Sequence, residues 1–81
     1  MLINAAIRSI MKEKKVTLLA MATSIGKKRA NDVAARLVSE NMTFNSAIEM
    51  LSVLGYEVVI QPRRPGARPQ GQIVIERSEK V

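Results

Sequence analysis

The sequence predicts a mainly α fold: four short helices, then one or two C-terminal β-strands forming a hairpin or an intersubunit sheet. Three observations predict it. Apolar residues recur at helical spacing in successive blocks before residue 55, and glycines at Gly26 and Gly55 supply stops. Only after Gly55 do β-branched, alternating runs appear, on either side of a Pro- and Arg-rich stretch. The chain therefore divides into residues 1–55, a helical domain, and residues 56–81, a strand-and-loop tail. At 81 residues it has room for one small core, and burial on folding reaches only about 60% of the unfolded surface.

The first helix spans about Ile3 to Lys15. Ile3, Ala6, Ile7, Ile10 and Met11 make one apolar stripe, and Lys12, Lys14 and Lys15 crowd the last turn, where cations complement the helix dipole. The second begins after Thr17, an N-cap, and ends near Ile25 with Gly26 as its stop; Met21, Ala22 and Ile25 point inward, with Leu18 at the start. The third runs from about Ala30 to Glu40. Ala30, Val33, Ala34, Leu37 and Val38 repeat the apolar spacing, while Arg29, Asp32, Arg36 and Ser39 point away, with Asn31 and Ala35 beside them. Asn41-Met42 breaks the pattern. Thr43 then caps a fourth helix through Leu54, with Ala47, Ile48, Leu51 and Leu54 facing the core and Gly55 as the left-handed exit.

After Gly55 the period changes. Tyr56–Gln61 and Gln72–Arg77 are expected as strands, separated by Pro62–Gly71, which holds all three prolines and three arginines. A lone two-stranded hairpin is marginal in water, so pairing between subunits is the alternative.

Composition removes whole classes of chemistry. The chain has no cysteine and no histidine, so disulfides, thiolate or imidazole metal sites and His-dependent triads are excluded. Aromatics are limited to Phe44 and Tyr56, which makes the core aliphatic, with Met11, Met21, Met42 and Met50 as fillers. No spacing of the seven acidic residues brings two into one cleft, and no phosphate loop or His-based metal motif occurs. No catalysis and no cofactor are expected. Nor does any apolar run approach the roughly 18 residues that span a bilayer. The expectation is a soluble, cytoplasmic protein without membrane association.

Charge points to the partner. Thirteen Lys and Arg against seven Asp and Glu give +6. Residues 1–40 hold eight bases and three acids, residues 41–61 only Glu49 and Glu57, and residues 62–81 five bases and two acids. Two basic zones thus flank an acidic, apolar middle, a pattern that favours a polyanion, nucleic acid first.

Two short helices joined by a Gly-containing turn, the second with polar residues outward, form the layout of a helix-turn-helix. Thr17-Leu18-Leu19-Ala20-Met21-Ala22-Thr23-Ser24-Ile25-Gly26 is similar to the second helix of the lambda-repressor-like (xenobiotic-response-element type) family, and Val33-Ala34-Ala35-Arg36-Leu37 looks like its recognition helix. Asn41 to Ile60 resembles the final helix and trailing strand of small phage and mobile-element members. Leu18 stands where members usually carry Gln, and six residues separate Gly26 from Val33, one more than the family spacing.

The resemblance implies a double-stranded DNA-binding transcriptional regulator, a repressor whose third helix enters the major groove. Lys28, Arg29, Asn31, Ala35 and Arg36 are then the base-contact candidates: Lys or Arg for guanine, Asn for adenine, Ala for a thymine methyl. Lys15, Thr17 and Lys27 suit phosphate. Each has a plainer alternative. The Lys27-Lys28-Arg29 cluster can be a solvated turn, Arg36 can pair with Asp32 one helical turn away, and Asn31 can be the N-cap.

The tail carries two further expectations. Arg63, Arg64 and Arg68 form either a minor-groove arm or a charged linker. Tyr56, Val58, Ile60, Ile73 and Ile75 are expected at a homodimer interface, since a helical domain this small has little surface to bury them. Two other functions compete: an antitoxin or similar module that docks a protein partner by its tail, and an architectural DNA binder that bends its site.

Overall fold

The computed structural model describes residues 1–79, and four helices make up its regular structure: α1 (Ile3–Lys14), α2 (Leu18–Ser24), α3 (Ala30–Val38) and α4 (Phe44–Val53). Each follows from its local sequence. α1 ends at Lys15, which takes the left-handed conformation (φ 57°, ψ 39°) while its N–H and that of Val16 return to the carbonyls of Lys12 and Met11. Thr17 caps α2, its hydroxyl accepting from the Ala20 N–H at 3.0 Å. Thr43 caps α4 likewise, accepting from the Ser46 N–H at 3.3 Å. Gly26 (φ 78°) and Gly55 (φ 81°) supply the two left-handed turns that end α2 and α4.

One core joins the four. Ile7, Ile10 and Met11 of α1, Met21 and Ala22 of α2, Val33 and Leu37 of α3, and Met50, Leu51 and Leu54 at α4 form a single buried cluster. Ile3, Val16, Ile25, Met42 and Tyr56 pack around it. α2 packs most extensively on α3, and α1 contacts both α3 and α4. Asn4 is the polar residue buried in this core. Its Nδ2 donates to the Leu37 carbonyl at 3.0 Å, and its Oδ1 accepts from the Ala5 N–H at 2.9 Å.

Three expectations need correction. Val38 is 72% exposed rather than inward, because α3 ends there instead of continuing to Glu40. Ile48 lies at the exposed margin of α4, and Met50 takes the fully buried place. Leu18 is likewise exposed at the start of α2.

The larger correction concerns the tail: neither 56–61 nor 72–77 forms a strand among the described residues. Among the described residues, beyond the Tyr56 N–H, which bonds to Leu51 O, no backbone hydrogen bond engages Tyr56–Gln61, and none links the two segments. The hairpin register that aligns Ile60 with Ile73 and Val58 with Ile75 would also set Glu57 opposite Glu76. Like charges directly opposite are destabilising, and two strands alone bury too little to offset that. Instead the distal segment lies beside the start of α1. The Glu76 N–H donates to Met1 O at 2.9 Å and the Met1 nitrogen to Val74 O at 3.1 Å. The Ser78 hydroxyl donates to Glu40 Oε2 at 2.8 Å. The basic segment Pro62–Gly71 is thus a loop held at both ends, by Tyr56 on the core and by residues 74–78 near α1, and not a free arm. Lys80 and Val81, at the end of the expected tail, lie outside the described residues.

Candidate nucleic-acid interface

The turn between α2 and α3 gathers the basic residues. The Ile25, Gly26 and Lys27 N–H groups close back onto the carbonyls of Met21, Thr23 and Ala22, at 3.1, 3.2 and 2.8 Å. This fixes the chain leaving α2 and delivers Lys27, Lys28 and Arg29 to the N-terminus of α3, all three exposed. Among the described residues none of the three forms an ion pair. Asp32 is the acidic residue of the same first turn, so the three cations outnumber it there, and the helix dipole adds to their positive potential.

Arg29 is the N-cap of α3, in extended conformation, with no side-chain capping bond. Asn31 therefore lies inside the first turn and is not the cap, contrary to one of its two expected roles. Its side chain is exposed, and Ala35 is exposed one turn later on the same face. Val33 and Leu37 are buried on the opposite side. The helix thus turns a polar and small-residue face outward with three cations at its leading end.

Arg36 departs from this group. Its Nη1 lies 2.9 Å from Glu49 Oε1 on α4, as both a hydrogen bond and an ion pair. The guanidinium is directed at α4, neither along the outward face nor to Asp32, so the structure brings together four of the five base-contact candidates and diverts the fifth. No sequence periodicity signals a pair thirteen residues apart; the unbalanced acid on α4 was the only hint.

The phosphate candidates lie at the ends of the preceding elements. Lys15 is exposed at the α1 C-terminus, and Thr17 is exposed at the start of α2 with its hydroxyl already accepting the Ala20 N–H. A hydroxyl used as acceptor still has its proton to donate, so the cap and a phosphate contact are compatible. In the tail Arg63 and Arg64 are exposed and Arg68 is half-buried.

The proposed interface residues divide as well. Tyr56 packs against the core, with the Lys14 ammonium 5.8 Å from its ring centre. Val58, Ile60, Ile73 and Ile75 are exposed, Ile60 completely.

No group of His, Cys, Asp or Glu among the described residues is arranged to hold a metal ion. Among the described residues no helix is long and apolar enough to cross a membrane. No family model matches the chain, and comparison with curated proteins and with solved structures finds no match.

Proposed function

We propose that this protein is a sequence-specific double-stranded DNA-binding transcriptional regulator of the lambda-repressor-like kind, a dimeric repressor of a phage or other mobile element acting in the bacterial cytoplasm. The observation that carries the reading is the composition of α3's leading end. Three exposed cations, without ion-pair partners among the described residues, precede an outward Asn31 and Ala35, directly after a capped helix and a glycine turn. A major-groove helix needs long donors at its N-terminus and small residues where the groove wall comes close. Lys28, Arg29 and Asn31 read base edges, Ala35 packs against a thymine methyl, and Lys15, Thr17 and Lys27 hold phosphates. Arg36 steadies α3 on α4. Arg63 and Arg64 reach flanking backbone from the tethered loop. Two copies joined through their tails read an inverted repeat, and the chain performs no catalysis.

The test is selection of bound sites from a random duplex library at two salt concentrations. An inverted repeat with half-sites about one helical turn apart supports the reading. Binding with a steep salt dependence and no enriched sequence would reduce it to electrostatic attraction. Absence of DNA binding, together with a protein captured through the exposed apolar tail, would favour the antitoxin-like alternative.

A further inference from the structure

α1, the start of α2 and α3 enclose an open cleft of about 350 Å³. Met11, Val16, Leu18, Ala34 and Leu37 give it an apolar lining, and none of the residues assigned to DNA contact belongs to it. Met11 and Leu37 are buried at its base. Leu18 is 39% exposed and Val16 and Ala34 are half-buried, so part of the lining still faces water. Arg8 and Lys12 complete the cleft, both exposed and one turn apart on α1. Among the described residues neither forms an ion pair, and no acidic residue lines the cleft.

The walls define the occupant. Aliphatic lining alone takes any apolar body, and two cations alone take any anion, a DNA phosphate included. Side by side they select a molecule that carries both features, an apolar tail next to an anionic head. An Arg and a Lys one turn apart can donate to both oxygens of one carboxylate. A tail laid over Val16, Leu18 and Ala34 removes their remaining apolar surface from water. Size favours a small molecule over a peptide. The volume falls at the lower end of the roughly 300–1,000 Å³ of ligand clefts. A helical peptide instead needs a trough for anchors at i to i+7, whereas on α1 this cleft runs only from Arg8 to Lys12, about 6 Å.

We propose that this cleft binds a small amphiphilic carboxylate, its aliphatic tail against Val16, Leu18 and Ala34 and its carboxylate between Arg8 and Lys12. Because three helices contribute to the lining, the occupant bridges them and raises the thermal stability of the fold. The site is independent of the DNA-binding reading.

The test uses octanoate as the probe, titrated into the ¹⁵N-labelled full chain, with octanol and octylammonium of the same tail length for comparison. Amide shifts are expected to concentrate on the residues of the cleft and to saturate, with octanol binding about fivefold more weakly and octylammonium more weakly still. Arg8→Gln combined with Lys12→Gln should erase the preference for octanoate over octanol and leave octanol binding unchanged. Ala34→Leu should fill the cleft and abolish both, with helix content checked by circular dichroism. The two Gln substitutions are at exposed positions and keep the test decisive should Ala34→Leu fail to fold. Equal affinity for octanoate and octanol in the parent chain would overturn the proposal, as would shifts scattered over the surface or no saturation. An acidic leucine-containing peptide that occupies the cleft where octanoate does not would also overturn it and assign the site to a protein partner. No DNA enters these readouts, so failure here is distinct from failure of the DNA-binding reading.

Discussion

Asn4 of α1 donates from Nδ2 to the carbonyl oxygen of Leu37 of α3 at 3.0 Å, across the buried interface of the two helices. Leu37 is near the end of α3, where the carbonyls no longer have partners within the helix. The bond satisfies one of them inside the core, where water cannot. Asn4→Ala leaves that carbonyl unpaired and opens space, and the expected loss is about 1–3 kcal/mol. Urea denaturation with an unchanged m-value would show it. A change below about 0.5 kcal/mol would mean that water replaces the amide.

The Arg36–Glu49 pair is worth less than its 2.9 Å separation suggests. Glu49 is about half exposed, so solvent screening limits the coupling to about 0.2–1 kcal/mol in a double-mutant cycle. Its larger effect is on position. Glu49→Gln frees the guanidinium and removes a negative charge beside α3. Affinity for non-specific duplex is expected to rise, with the salt slope steeper by about one, while thermal stability changes little. Unaltered binding in this variant would place Arg36 outside the DNA-facing surface altogether.

The helices were legible because their signals are local. Thr17 and Thr43 cap as the sequence indicates, Gly26 and Gly55 turn left-handed, and the buried positions follow the apolar spacing. Where the stripe and the helix length disagreed, length decided: Val38 fits the spacing but falls on the last residue of α3 and is exposed. Asn4 was also visible in principle, a polar residue on the apolar stripe of α1. The tail was not legible, because alternation shows which side chains share a face and says nothing about which edge will pair. Arg36 illustrates the same limit, since spacing within α3 suggested Asp32 and the packing of α4 supplied Glu49.

Lys15 occupies a backbone conformation that costs an L-residue about 1–2 kcal/mol and glycine much less. Lys15→Gly should therefore stabilise the fold by about 1 kcal/mol, part of the relief being offset by the greater freedom of glycine when unfolded. In a domain this small that corresponds to a rise in Tm of about 4–8 °C. If Lys15 also holds a phosphate, the same variant binds DNA less tightly while being more stable. A parallel fall in stability would show that the Lys15 side chain makes a contribution the left-handed cap does not explain.

The strongest separation of roles lies within five residues. Lys27 precedes α3 and is directed to phosphate in the proposed complex, whereas Arg29 and Asn31 stand at the helix's leading turn. Lys27→Ala should weaken every duplex alike and reduce the salt slope by about one. Arg29→Ala and Asn31→Ala should instead lose about 1–3 kcal/mol on the selected site and much less on random duplex, relaxing the preference at one base pair each. All three side chains are exposed, so thermal stability should stay within about 0.5 kcal/mol of the parent and folding will not confuse the comparison. Equal losses on selected and random duplex for all three would mean that the leading end of α3 attracts DNA without reading it, and the sequence preference would have to come from DNA shape or from the tail.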